Sequence, residues 1–327
     1  MLIDNHNRVI NYLRLAVTDR CNLRCNYCMP SEGINFVKKD KLLSIDELKR
    51  VALIAVEQGI EKIRITGGEP FVRRDLMELL RYLSNLDGLK DISITTNATL
   101  IGPYIQELKE LGITNINVSL DAIEKATFER ITRRKQFETV YGNLVKLINE
   151  GFNVRINFIV LENQNEGDIL SILDWFKNYP VSIRFLEEMP FNGGTKGFSS
   201  IKWNYKAILE HIRTVYPNFN KLEVPATATA INYQIEGHTA TFGIIPSFSR
   251  TFCGSCNRLR ITATGDIITC LYGKPKANLR TFLRNTANNS EIGGILKQVI
   301  GNRAKTGFEA QEEHSTVFDN SMTSIGG

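Results

Sequence analysis

The stretch LRLAVTDRCNLRCNYCMP, residues 13–30, decides how this chain is to be read. It opens inside an apolar run, Tyr12–Val17, that reads as a short buried strand. Arg14 alternates with Leu13 and Leu15, so its side chain belongs to the opposite face. Directly after the strand come Cys21, Cys25 and Cys28 in a Cys-x3-Cys-x2-Cys spacing. In parallel α/β proteins ligands sit at the carboxyl ends of strands. Three thiolates there can hold three irons of a cubane and leave the fourth iron to a small molecule. Any one cysteine can equally be a small buried hydrophobe, and the three can be a zinc site completed by a remote fourth ligand.

Working outward, further β-branched runs occur at Lys62–Thr66, Ile92–Thr95, Ile116–Leu120, Val154–Val160 and Val181–Leu186. Helical patterns fall between them. Ser44–Gln58 opens with a capping-box spacing, Ser44 and Glu47, and stops at Gly59. Asp75–Leu86, Pro103–Leu111, Phe137–Asn149 and Glu166–Lys177 follow. Six strand–helix units predict an α/β fold with a parallel sheet and right-handed crossovers. A closed barrel needs eight, so the expectation is an incomplete, six-unit TIM-like barrel whose lateral gap something else covers. The texture changes after Pro190, where Phe191–Ser200 is rich in Gly, Ser and Thr. The predicted division is therefore 1–190 for the barrel and 191–327 for an α+β extension that closes the opening.

The bulk composition, 43% hydrophobic and 23% charged over 327 residues, suits a globular protein. A net charge of +5 with mixed signs gives no nucleic-acid footprint. No apolar stretch near the start is long enough for a secretory or membrane segment, so a cytoplasmic protein is expected. Six cysteines in that setting read as reduced thiols rather than disulfides.

The other three cysteines lie in FCGSCNRLRITATGDIITCL, residues 252–271, as Cys253-x2-Cys256-x13-Cys270. A zinc ribbon wants a fourth Cys or His at ordinary spacing, and neither His238 nor His314 has it. A second cubane with an open iron is the better account.

The CxxxCxxC stretch resembles the radical S-adenosylmethionine (SAM) signature, and Gly67-Gly68-Glu69-Pro70 after the second strand resembles that superfamily's GGEP motif. The pattern CGxCNRLRxTxxG…CL, together with a terminal Gly326-Gly327, is similar to the GTP 3',8-cyclase family over essentially the whole chain. That resemblance implies two [4Fe-4S] clusters, one binding SAM through the first triplet and one binding substrate through the second. It implies SAM contacts at Tyr27, Gly68, Glu69, Thr95, Ser119, Arg155 and Met189. It implies a GTP site at Arg14, Lys62, Arg64, Arg184, Arg258 and Arg260, with Arg14, Arg258, Arg260, Gly326 and Gly327 serving catalysis. Arg155 replaces the family's usual lysine, Ala98 the glycine of TTNG, and Glu188 a common aromatic.

The activity so implied is conversion of GTP to (8S)-3',8-cyclo-7,8-dihydroguanosine 5'-triphosphate, the first step of molybdenum cofactor biosynthesis. A 5'-deoxyadenosyl radical would take the 3' hydrogen. The implied partners are an external electron donor, a second copy of the chain and, transiently, cyclic pyranopterin monophosphate synthase. Two other readings of the residues are a different radical SAM enzyme, such as one modifying peptides, and an electron carrier or metal-stabilised binding protein.

Overall fold

The computed structural model describes residues 1–191, 201–285, 287–313 and 321–326. Two short strands, β1 (Leu2–Ile3) and β2 (Val9–Ile10), pair as an antiparallel ribbon. Six strands then alternate with helices: β3 (Tyr12–Ala16), β4 (Lys62–Thr66), β5 (Asp91–Thr96), β6 (Asn115–Ser119), β7 (Asn153–Val160) and β8 (Ser182–Glu187). The C-terminal part adds β9 (Phe219–Lys221), β10 (Ile231–Ile235), β11 (Thr241–Ile245), β12 (Arg258–Ile261), β13 (Asp266–Ile268) and β14 (Ala277–Asn278).

The helices form where pattern and caps agree. Ile45–Glu57 carries the anticipated box, with Ser44 Oγ accepting from the Glu47 amide and Glu47 returning to the Ser44 amide. Phe137–Asn149 buries Val140, Leu144, Leu147 and Ile148, one face at helical spacing, against the sheet. Pro103 falls in a 3-10 turn, Gly102–Tyr104, ahead of the helix Ile105–Glu110. Alternation along β7 sends Val154, Ile156 and Phe158 into the core and Arg155 and Asn157 to the other face.

Strands β3 to β8 pair in chain order and in parallel. The expected six-unit open sheet is therefore present. What covers its gap is more specific than anticipated, because the C-terminal part adds one parallel strand to each side. β12 pairs with β3 and β11 with β8, giving the order β14-β13-β12-β3-β4-β5-β6-β7-β8-β11-β10-β9. β11 and β12 are consecutive in sequence yet lie on opposite flanks of the six-stranded array. Residues 246–257, which join them and carry Cys253 and Cys256, must cross the opening.

Candidate functional site

All six cysteines line one cavity of about 480 Å³ at the carboxyl ends of the strands. The first triplet follows β3, and its loop is pressed against the loop after β4. The Gly68 amide donates to the Thr18 carbonyl at 2.9 Å and the Glu69 amide to the Arg20 carbonyl at 2.8 Å. A Cβ on Gly67 would stand 2.5 Å from the Thr18 oxygen and one on Gly68 2.5 Å from the Arg20 oxygen. The two glycines therefore admit the cysteine loop itself.

Glu69 differs from its expected role. It is absent from the cavity lining, and its buried carboxylate accepts from the Phe71 amide at 3.1 Å, the Thr96 hydroxyl at 2.8 Å and the Asn97 amide at 2.6 Å. Burial lifts its pKa to about 7, with these three donors working the other way. Glu69 braces the loops after β4 and β5, and Asn97 Nδ2 in turn lies 3.7 Å from Cys21 Sγ. Ala98, where glycine is usual in TTNG, takes the left-handed conformation at φ 60° that glycine adopts freely.

Tyr27, Gly68, Thr95, Ser119 and Met189 all line the cavity. The Tyr27 hydroxyl donates to Asp121 Oδ2 at 2.7 Å, and Asp121 Oδ1 accepts from the Ile159 amide at 2.8 Å. Arg155 lies outside the lining and donates to Asn115 Oδ1 at 3.1 Å.

Cys253 and Cys256 are set by the crossing segment, and Cys270 follows β13. Glu187, at the end of β8, is wholly buried and accepts from the amides of Tyr205, Phe248 and Ser249 and from the Ser249 hydroxyl, all within 2.8 Å. Cys256 Sγ receives Arg258 Nε at 3.3 Å and Arg303 Nη2 at 2.9 Å, and Cys253 Sγ receives the Gly307 amide at 3.3 Å. Burial works against the Cys256 thiolate, yet Arg258 and Arg303 bring it down to about 6. The Cys21 thiol goes the other way, pushed up to about 12 by burial and then by Glu69. Among the described residues no three Cys, His, Asp or Glu side chains gather as ligands of a single ion, whereas a cubane takes its thiolates on separate irons.

Between the triplets stands a wall of cations. Strand register puts Arg260 beside Arg14 and Arg14 beside Arg64, and one step away Arg258, Tyr12 and Lys62 in the same order. All six predicted substrate residues line the cavity. With its amide oxygen turned to Arg64, buried Asn117 accepts from both guanidinium nitrogens at 3.0 and 3.1 Å. Lys62 pairs with Asp91. Burial and neighbouring like charges loosen the protons, Arg184 falling to about 9 beside Arg155 and Arg64, and Arg260 to about 10 beside Arg258. Such a field calls for an anion.

The tail enters this space. Met322–Ile325 is helical, and Gly326, at φ 75°, gives its carbonyl to Arg260 Nη1 at 2.9 Å. A Cβ there would meet Ala16 Cβ at 2.9 Å and Thr66 Oγ1 at 3.2 Å. Gly327 lies outside the described residues.

Residues 15–176 match the family described as Radical SAM superfamily, and residues 181–309 that described as Molybdenum Cofactor Synthesis C. GTP 3',8-cyclase of Listeria welshimeri is 35% identical over 100% of this chain and 99% of its own. The mitochondrial GTP 3',8-cyclase of Arabidopsis thaliana is 36% identical over 100% of this chain and 84% of its own. Human Molybdenum cofactor biosynthesis protein 1 is 38% identical over 93% of this chain, which spans 48% of that longer protein. Streptococcus suis SuiB has the same fold, at a TM-score of 0.61 and 16% identity over 91% of this chain and 67% of its own. With full-length relatives at this identity and the radical SAM match across its barrel, the chain belongs to the GTP 3',8-cyclase family of the radical SAM superfamily.

Proposed function

We propose that this protein converts GTP to (8S)-3',8-cyclo-7,8-dihydroguanosine 5'-triphosphate, using SAM on a cluster at Cys21, Cys25 and Cys28 and a second cluster at Cys253, Cys256 and Cys270. The observation that carries this reading is the meeting of both triplets and six cationic side chains in one cavity. When bound, the first cluster and SAM supply the one-electron cleavage that yields a 5'-deoxyadenosyl radical. The remaining work falls to this chain's own residues.

Arg14, Arg64, Arg184, Arg258 and Arg260 bind the triphosphate through planar, multidentate donors, and Asn117 keeps the Arg64 fork from turning. Tyr27, Thr95, Ser119 and Met189 hold SAM at the strand ends. Glu69 acts at one remove, fixing the loops that shape that site. Arg155, which shares the field of Arg64 and Arg184, strengthens the anion site. The crossing segment, pinned by Glu187, and the tail, docked through Gly326, close the cavity so that the radical meets the ribose rather than the C–H and S–H bonds around it. Positioning of this kind converts loose encounter into directed attack.

We place the boundary between barrel and C-terminal region after Pro190. An external electron donor, a second copy of the chain and the next enzyme of the pathway are its expected partners. Among the described residues no helix is long and apolar enough to cross a membrane. The test is anaerobic turnover with GTP deuterated at C3'. The expected result is 5'-deoxyadenosine carrying the label, whereas unlabelled, GTP-independent 5'-deoxyadenosine sends the reading to another substrate, and none at all removes the radical chemistry.

A further inference from the structure

One buried charge is built against the second triplet without belonging to any motif. Arg303 is only 4% exposed, donates Nη1 to the Cys256 carbonyl at 3.0 Å and sets Nη2 2.9 Å from Cys256 Sγ. Asp4, whose side chain is wholly buried, stands 3.9 Å from Arg303 Nη1. Its carboxylate is already engaged by Arg8 Nε at 2.6 Å and by the His6 and Arg8 amides at 2.9 Å. Arg8 reaches on to the Cys253 carbonyl at 2.8 Å and to the carbonyls of Ala304 and Lys305. The N-terminal ribbon thus ties the Arg303 segment to the cysteine loop, and Arg303 spends its second nitrogen on sulfur. Among the described residues no arginine or lysine is seen donating to a sulfur of the first triplet, whose side-chain contacts include Asn97 Nδ2 and Ser321 Oγ, both at 3.7 Å.

We propose that Arg303 is a positioning residue that sets the reduction potential of the second cluster, holding it above the value the cysteines alone would give. The proposal rests on the second-cluster reading. Reduction adds negative charge that spreads onto the thiolate sulfurs, so a cation donating to one of them stabilises the reduced form more than the oxidised one. A charge-assisted hydrogen bond does this more strongly than a neutral one, and burial keeps the charge from being screened. Asp4 fixes the guanidinium without neutralising it, because its carboxylate is already bonded to Arg8.

The test uses the full-length chain carrying Cys25→Ser, which leaves only the second site to titrate, and compares Arg303→Lys, Arg303→Gln and Arg303→Leu by iron content and by spectroscopically monitored redox titration. The expected result is about four irons per chain throughout, with the midpoint moving negative in the order Lys, Gln, Leu. If Arg303→Leu loads less iron, the Gln variant, which keeps a donor and loses the charge, carries the comparison. Unchanged midpoints at full iron content overturn the role of Arg303 while leaving the cluster in place. Iron-free Cys25→Ser protein overturns both, since nothing remains for Arg303 to tune.

Discussion

The two cysteine triplets have the same ligand count and opposite surroundings. The first follows β3 and has the carboxyl groups of Glu69 and Asp121 close by, where burial and then Glu69 hold Cys21 up at about 12. Two cysteines of the second, Cys253 and Cys256, ride on a segment that spans the opening between β11 and β12, while Cys270 follows β13, and Arg258 and Arg303 bring Cys256 down to about 6 against the effect of burial. A triplet with carboxyl groups beside it suits a cofactor that carries a sulfonium and an ammonium, and a cation-rimmed one suits an anionic nucleotide. The lesson is that ligand spacing states how many irons can be held, while the neighbours of the sulfurs state what else is held beside them.

The largest effects should come from breaking one triplet at a time. Cys25→Ser and Cys256→Ser are each expected to lower iron from about eight to about four per chain. They should differ in chemistry: Cys25→Ser abolishes reductive SAM cleavage, and Cys256→Ser retains 5'-deoxyadenosine formation while losing the cyclised product. Equal loss of SAM cleavage in both would mean that the triplets do not divide the work.

The tail offers a smaller but sharper break. Gly326→Ala places a methyl 2.9 Å from Ala16 Cβ and puts a side chain on a left-handed residue, costing about 1–2 kcal/mol before the collision is counted. Since only a terminal turn is displaced, the thermal midpoint and iron content should hold while product formation falls by at least tenfold. A fall in the midpoint would show that the tail is part of the core instead.

The cation wall can be graded in the same way. Arg260 is half-buried and donates to Gly326, so Arg260→Ala should weaken GTP binding by about 1.5–3 kcal/mol, roughly 10- to 150-fold. Lys62 is half-buried and already paired with Asp91, so Lys62→Ala should cost no more than about 1 kcal/mol. Calorimetric titration with GTP checks the ranking, and an equal loss for both would make the wall a diffuse field rather than a set of contacts.

Much of this was legible because local chemistry and global fold agree. Alternating apolar residues announced β3 to β8, Ser44 and Glu47 announced a helix start, and both triplets stood out by spacing. Arg14, Arg64 and Arg260 could be placed on one face from alternation, though only strand pairing aligned them. What escaped was what depends on distant segments meeting. Asp4, Arg8, Arg303 and Gly307 come from opposite ends of the chain, and nothing in GNRAKTG around Arg303 marks it as other than a surface arginine. Glu187 looked like the end of a strand, and its grip on the crossing segment exists only once β11 has joined β8. The helix Asn289–Gly301 carries a capping box, Asn288 with Glu291, that could have been read from spacing and was not. At the tail, Ile325 joins a buried cluster with Phe191, Ile268 and Tyr272, another meeting of segments far apart in the chain.

The smallest effect tests the brace on the first triplet. Glu69 has an ordinary value of 4.5, raised to about 7 by burial. Between those two values the folded protein holds a proton that the unfolded chain has released, so stability falls as pH rises through the window and is insensitive to this group outside it. Glu69→Gln stays neutral and loses that dependence. Its NH2 must also face one of the three donors now satisfied, a cost of about 1–3 kcal/mol. Anaerobic denaturant unfolding at pH 5 and pH 8 should therefore find the variant less stable at pH 5, with the gap to the native protein closing or reversing at pH 8. A gap that stays constant from pH 5 to pH 8 would mean that the three donors outweigh burial, leaving the carboxylate charged at pH 5 and the brace around the first triplet stronger than its surroundings imply.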